Sequence, residues 1–187
     1  MLSILIPVYN YNVSSLVEAL HKQCLESKIE FEIICQDDGS TQFQIDNQKI
    51  NQLKNTSYTI LEHNIGRSAI RNLLAQKAKF ENLLFLDADT LPIRTNFVTN
   101  YILQISNEEK VVYGGIQYQE KEPLKSEILR WTYGNSREAL SFEKRQTNPY
   151  ISLLTLNFLI KKSIFKKVCF NEEIPNLRHE DTLFSFE

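Results

Sequence analysis

The sequence predicts an α/β fold, a three-layer sandwich around a central, mainly parallel sheet. Three observations carry that expectation. Short runs rich in apolar and β-branched residues, LSILIPV (2–8), FEIICQ (31–36), SYTILE (57–62) and LLFL (83–86), have the length and composition of strands. Between them lie stretches with helical spacing of apolar residues, and strands alternating with helices argue for a parallel sheet covered on both faces. Each strand is followed directly by polar residues, as expected where a sheet opens onto a ligand.

The elements follow in order. LSILIPV is a short apolar run ended by Pro7; then Val13, Leu16, Val17, Leu20 and Cys24 recur at helical spacing behind Asn12, a suitable cap. FEIICQ is a second buried strand, with Asp37, Asp38, Gly39 and Ser40 as the turn behind it. A polar helical segment from Gln42 to Leu53 leads to SYTILE; Ala69, Ile70, Leu73, Leu74 and Ala78 make the inner face of the next helix, and LLFL is the fourth strand. Beyond Pro92 the pattern loosens. Phe97, Val98, Tyr101, Ile102 and Ile105 predict a helix, VVYGGIQY (111–118) a strand, and Leu124 to Leu140 a helix carrying the sole tryptophan, Trp131. A basic loop KRQTNP, a strand TLNFLI (155–160), a short helix KKSIFKKV and a last segment HEDTLFSFE complete the chain. Neither a linker nor a repeat divides it, so the second half is expected to extend the same sheet.

Composition bounds the function. A chain of 187 residues, 42% apolar and 24% charged, fits one domain with a real core, and its net charge of -2 offers no polycationic surface for nucleic acid. Cys24, Cys35 and Cys169 form no C-x-x-C pair, which predicts neither a disulfide framework nor a zinc site and points to a reducing compartment. No apolar run approaches the roughly 20 residues that span a bilayer, and Met1 leads directly into a strand. The expected location is therefore the cytoplasm, with the inner face of a membrane as a place where a substrate can be met. No G-x-G-x-x-G, no P-loop and no H-E-x-x-H occurs, and His21, His63 and His179 lie far apart.

In open α/β sheets ligands bind beyond the carboxyl ends of the strands. Tyr9 and Asn10, Asp37 and Asp38, His63 and Asn64, and Asp87 and Asp89 should therefore line one polar, acidic edge. Asp87-Ala88-Asp89 can share a hard cation such as Mg2+ or Mn2+, which then bridges phosphate oxygens, while the small Ala88 leaves room for a ligand; alternatively Asp89 caps the next helix. In DDGST a carboxylate can accept a hydrogen bond from a nucleobase, or the segment is an ordinary turn. HNIGRSAIRN puts Gly66 and Arg67 at a helix start with Arg71 one turn on, which suits phosphate, or leaves two solvated arginines. Glu180 and Asp181 can supply a general base, or merely favour a first helical turn. Lys161, Lys162, Lys166 and Lys167 can attract an acidic acceptor or lipid head groups, or form a solvated face.

Taken together, IPVYN, DDGST, NIGRSAIRN, LDADT, NFLIKKSIFKKVCFNEE and HED stand in the order that resembles family 2 glycosyltransferases, over nearly the whole chain. The resemblance implies the GT-A (Rossmann-like) fold, inversion at the anomeric carbon, a divalent cation (Mn2+ or Mg2+) and a nucleotide-diphosphate sugar donor, with a UDP-sugar first. It also implies a carbohydrate or lipid-linked glycan acceptor, peripheral contact with a membrane, and a role in polysaccharide or glycoconjugate synthesis. By that resemblance residues 1–91 are the nucleotide-sugar-binding half and 92–187 the acceptor half of a single domain. Pro7, Tyr9 and Asn10 match the first nucleotide loop, Asp38 the acid that reads the base, and Gly66, Arg67 and Arg71 the segment beside the uracil and phosphates. Asp87 would approach the ribose or a metal-bound water, with Ala88 beside it, and Asp89 would ligate the metal. Asp181, with Glu180 beside it, matches the catalytic base, and Asn157 begins the acceptor-side strand.

Two departures are visible. CFNEE stands where many relatives carry Gly-Gly-Phe-Asp-Glu, and the chain stops at Glu187, close behind Asp181, which predicts a truncated acceptor half. LLFLDADTLP also resembles the first motif of haloacid-dehalogenase-type phosphatases, with Asp87 as the nucleophile, although that motif usually sits on an opening strand. A non-catalytic nucleotide-binding domain is the other alternative. A sugar nucleotidyltransferase would want a glycine-rich basic opening loop that IPVYNYN lacks.

Overall fold

The computed structural model describes residues 1–174 and 180–187, so His179 of the HED motif lies outside the described residues. Six strands form one sheet in the order β3-β2-β1-β4-β6-β5. β1 (Leu2–Val8), β2 (Phe31–Asp37), β3 (Thr56–Ile60) and β4 (Asn82–Leu86) are mutually parallel where they pair, β1 lying between β2 and β4. β6 (Asn157–Lys161) runs antiparallel to β4, and β5 (Val112–Tyr113) antiparallel to β6.

Side-chain alternation along the strands builds the three layers. Leu2, Ile4, Ile6 and Val8 of β1, with Leu84 and Leu86 of β4, join a core that includes Leu16, Val17 and Leu20 of α1 (Ser14–Glu26) and Val98 and Tyr101 of α4 (Phe97–Ile102). Leu5, Leu83 and Phe85 point the other way. They meet Leu74 and Ala75 of α3 (Arg67–Lys77), Phe165 of α8 (Lys162–Val168) and Phe184 of α9 (Glu180–Phe186). Phe85 stacks on Phe158 at 4.8 Å, and Phe184 meets Phe158 at 5.4 Å and stacks on Phe170 at 4.3 Å, so aromatic rings fasten α9 to the sheet.

Several local expectations change. The helix expected over 42–53 is the short α2 (Gln44–Gln48) and a 3-10 turn (Lys49–Gln52). Asn12 lies one residue ahead of the cap position of α1; its Oδ1 accepts from Ser14 N at 3.0 Å, and Asn47 Oδ1 accepts from Val13 N at 3.0 Å. The strand expected over 111–118 shrinks to two residues. A Cβ on Gly114 would stand 2.4 Å from the Tyr101 hydroxyl and 2.6 Å from Asn157 Oδ1, so only glycine lets the backbone pass these side chains where the pairing has ended. The helix expected over 124–140 is α5 (Ile128–Arg137), and the expected basic loop is instead two short helices, α6 (Phe142–Thr147) and α7 (Pro149–Ser152). Ser141 Oγ accepts from Lys144 N at the start of α6, and Pro149 occupies the first turn of α7, where its missing N–H costs nothing.

The lysines of the KKSIFKKV helix are partly spoken for. Lys162 donates to Gln76 O at 3.1 Å and Ala78 O at 2.5 Å, capping the carboxyl end of α3, and Lys167 pairs with Glu109 at 3.0 Å. Cys24 and Cys35 are buried and Cys169 is exposed. Among the described residues no helix is long and apolar enough to cross a membrane.

Candidate active site

The loops after β1, β2 and β3 are tied to one another by side-chain hydrogen bonds. Asn10, at φ 50, donates its N–H to Ser40 Oγ at 2.7 Å and accepts from Thr41 N at 2.8 Å through Oδ1. Asp37 is fully buried and accepts from Ser40 N at 2.7 Å and from the Tyr58 hydroxyl. Its carboxylate shapes the turn, leaving Asp38 to face the edge. Asp38 accepts from Ile65 N at 2.7 Å and Gly66 N at 3.1 Å. Gly39, at φ +74, lets this turn close on the 63–66 loop, since a Cβ there would lie 2.9 Å from the His63 carbonyl carbon. Burial pushes the Asp38 carboxyl above its ordinary value, and the two N–H donors pull it back.

After β4 the chain turns sharply. Thr90 closes the D-x-D, donating N–H at 3.1 Å and O–H at 2.7 Å to the Asp87 carbonyl. Asp89 is exposed at the turn, and it does not cap the next helix, because α4 begins at Phe97 with Asn96 at its cap position. Arg71 is 5% exposed; it donates through Nη2 to Asp87 Oδ1 at 2.6 Å and through Nη1 to Arg67 O at 3.2 Å.

From the opposite side α9 brings two acids. Glu180 pairs with Arg67 at 3.4 Å, across the mouth between α9 and α3. Asp181 accepts from the hydroxyl of Thr155, which is itself buried. Burial pushes the Asp181 carboxyl above the usual aspartate value; the Thr155 bond and the Arg71 charge oppose this, while Glu180 and Asp87 add to it.

These loops surround a cavity of about 710 Å3 lined by Pro7, Tyr9, Asp38, Gly66, Arg67, Arg71, Asp87, Ala88, Asp89 and Glu180. Ten of the expected site residues thus meet, although they come from five separate segments of the chain. Asn10 and Asp181 are not on the lining; Asn10 braces the wall, and Asp181 sits one residue behind Glu180. Asn157 is buried at the start of β6, accepting from the Tyr101 hydroxyl at 2.6 Å and donating to Gly115 O at 2.8 Å, which makes it a splice between β6 and the Gly114 turn. Sequence reasoning missed Tyr11, Ser68, Glu172 and Ile174 on the lining. Glu172 accepts from Asn72 Nδ2 at 2.7 Å, and the acids of CFNEE were the only signal for it.

Comparison with known proteins identifies the class. Residues 3–169 match the model for Glycosyl transferase family 2, and the chain belongs to that family. A protein of Haemophilus influenzae described as an uncharacterized glycosyltransferase is 26% identical over 195 residues, covering 98% of this chain and 70% of its own length. The poly(ribitol-phosphate) beta-glucosyltransferase of Bacillus spizizenii is 36% identical over 93 residues, 47% of this chain and 14% of that protein. The crystal structure of Staphylococcus aureus TarS 1–349 superposes with a TM-score of 0.67 at 22% identity, covering 98% of this chain and 53% of that one. This chain therefore spans about half the length of that structure. The mannosyltransferase PcManGT of Pyrobaculum calidifontis, in complex with GDP-Man and Mn2+, superposes with a TM-score of 0.59 at 14% identity, covering 98% of this chain and 50% of that one. The fold is the GT-A fold of these neighbours, and membership of a glycosyltransferase family displaces the phosphatase alternative for Asp87.

Proposed function

We propose that the protein is an inverting glycosyltransferase that moves a sugar from a nucleoside-diphosphate sugar, a UDP-sugar first, to a hydroxyl of a polymeric glycan or polyol acceptor. The observation that carries this is the convergence of Asp38, Gly66–Arg67, the Asp87–Asp89 turn and Glu180 on one cavity at the carboxyl edge of the sheet. TarS 1–349 is known in complex with UDP-GlcNAc, PcManGT with GDP-Man, and the Bacillus relative is named for a poly(ribitol-phosphate) acceptor. Uracil and guanine both offer a ring N–H to a carboxylate, which suits Asp38.

The residues fit a divalent cation. Asp89 is exposed on the lining, Asp87 Oδ2 has no hydrogen-bond partner among the described residues, and no cluster of three or more ligating side chains occurs among them. Two carboxylates suffice for Mg2+ or Mn2+, which take their other oxygens from a diphosphate and water. When bound, the ion neutralises charge developing on the departing diphosphate.

The chain's own groups do the rest. Arg67, exposed at the start of α3, adds a guanidinium on the diphosphate side. Asp181, with its carboxyl raised by burial, takes the proton from the attacking hydroxyl. In-line attack of that hydroxyl on the anomeric carbon, with the nucleoside diphosphate leaving from the opposite face, is a single displacement that inverts the configuration. A thermal-shift screen of nucleotide sugars with and without Mn2+ tests the donor half of this account. A rise in melting temperature with a uridine or guanosine donor only when Mn2+ is present supports it; no rise with any donor overturns it. A wild-type protein that binds donor yet never releases UDP or GDP would be a nucleotide-binding domain rather than a transferase.

A further inference from the structure

Arg71 belongs with the sequence motif that suits phosphate, yet its guanidinium is committed elsewhere. Nη2 holds Asp87 Oδ1 at 2.6 Å, Nη1 holds Arg67 O at 3.2 Å, and the guanidinium lies over the Phe170 ring at 5.5 Å. Its Nε is buried with no partner among the described residues. Phe170 in turn stacks on Phe184 of α9. Arg71 is thus fixed by a ring below, a carbonyl beside it and a carboxylate ahead. Asp87 is fixed as firmly: its N–H donates to Leu156 O at 2.9 Å, and Thr90 clamps its carbonyl. Rotating Asp87 to present both oxygens to a ligand would leave a buried guanidinium without its counter-ion.

We propose that Arg71 is a positioning residue rather than a donor ligand: it occupies one oxygen of Asp87, restricts the D-x-D to single-oxygen ligation, and thereby selects Mn2+ or Mg2+ over Ca2+. Ca2+ takes six to eight oxygens and readily accepts two-oxygen carboxylate ligation to reach the higher numbers, whereas Mg2+ keeps near-ideal octahedral geometry with one or two carboxylates, phosphate oxygens and water, and Mn2+ accepts the same octahedral oxygen set. A site with Oδ2 of Asp87 and the exposed Asp89 matches the second pattern. The proposal rests on the metal-dependent donor site proposed above.

The test is calorimetric titration of the whole chain with UDP in Mn2+, in Ca2+ and in EDTA, for wild type, Arg71→Gln and Arg71→Lys, with melting curves as the folding control. Wild type should bind UDP at least about tenfold more tightly with Mn2+ than with Ca2+, a difference of about 1.4 kcal/mol. Arg71→Gln frees Oδ1 and should shrink that ratio severalfold, Arg71→Lys should restore part of it, and all three should bind UDP equally weakly in EDTA. An unchanged ratio in Arg71→Gln overturns the proposal, and so does a loss of affinity in EDTA, which would make Arg71 a direct nucleotide ligand. If Arg71→Gln does not fold, Arg71→Lys decides: an intermediate ratio supports the proposal and a wild-type ratio overturns it. Wild-type binding without metal discrimination overturns this inference alone, whereas no binding of UDP or GDP with any metal overturns the donor site itself and this inference with it.

Discussion

The two halves of the sheet's upper edge are held in different ways. On the β1–β4 side, α1 buries Leu16, Val17, Leu20, Gln23 and Cys24, and α3 buries Ile70, Arg71, Asn72, Leu74 and Ala75. Between β5 and β6, α5 buries only Gly134, and α6 and α7 bury nothing. That second region is knitted instead by polar contacts: Arg130 forks onto Glu138 at 2.9 Å through each nitrogen, Tyr118 donates to Glu138 at 2.5 Å, and Trp131 donates to Gln119 O at 2.8 Å. Exposed ion pairs contribute about 0–1 kcal/mol each, far less than an apolar core. The difference assigns the labour. The proposed diphosphate-binding groups stand on the packed side, and the polar surface between β5 and β6 is expected to tolerate substitution without unfolding the domain.

The largest expected effect lies where the two regions meet. Asp181→Asn should lower donor turnover by about 10²–10⁴-fold, the range for a lost general base, while UDP binding in Mn2+ stays near wild type; equal loss of binding would move Asp181 to the donor side. Its acid form has a pH signature. Because burial raises the folded value, the folded state holds its proton more tightly than the unfolded chain. Its contribution to stability is therefore fully present below the unfolded value of about 3.9 and is lost as pH rises through the folded value. Asp181→Asn should melt no lower than wild type at pH 7, and wild-type turnover should rise with pH through a midpoint above the ordinary aspartate value.

The packing contrast is tested next. Phe158→Ala, in the stacked cluster with Phe85, should cost about 3–5 kcal/mol in denaturant unfolding. Asn72→Ala should cost about 1–3 kcal/mol, because Asn72 donates to Phe170 O at 2.8 Å and accepts from Phe170 N at 2.9 Å. Leu129→Ala, on the exposed face of α5, should stay within about 0.5 kcal/mol. A cost for Leu129 as large as that for Asn72 would contradict the division between the two regions.

The same division separates what was legible in the sequence from what was not. β1, β2 and β4 declare themselves through runs such as LSILI and LLFL, because strands buried on both faces need near-continuous apolar residues, while β3, with only Tyr58 buried, shows instead by its β-branched and aromatic residues. Their order along the chain then places Asp38 and Asp87 on one edge. The antiparallel direction of β6 leaves no mark, since TLNFLI reads alike in either direction. Gly114 and Gly115 look permissive within a strand, and only the Tyr101 hydroxyl standing against Gly114 shows that a side chain has no room there. α6 and α7 bury nothing, so no apolar periodicity announces them. At the site, residue types were legible and partnerships were not. Nothing in NIGRSAIRN distinguishes Arg67, exposed and facing Glu180, from Arg71, buried against Asp87, because that depends on where α3 lies against β4.

Asp89, as the solvent-facing member of the D-x-D, is expected to make nucleotide binding depend on a divalent ion. Titrating UDP into wild type and Asp89→Asn, each with Mn2+ and with EDTA, tests it most directly. Wild type should bind tightly in Mn2+, and a folded Asp89→Asn weakly and without regard to the metal. Equal affinity of the two proteins in Mn2+, or wild-type binding indifferent to EDTA, would contradict it.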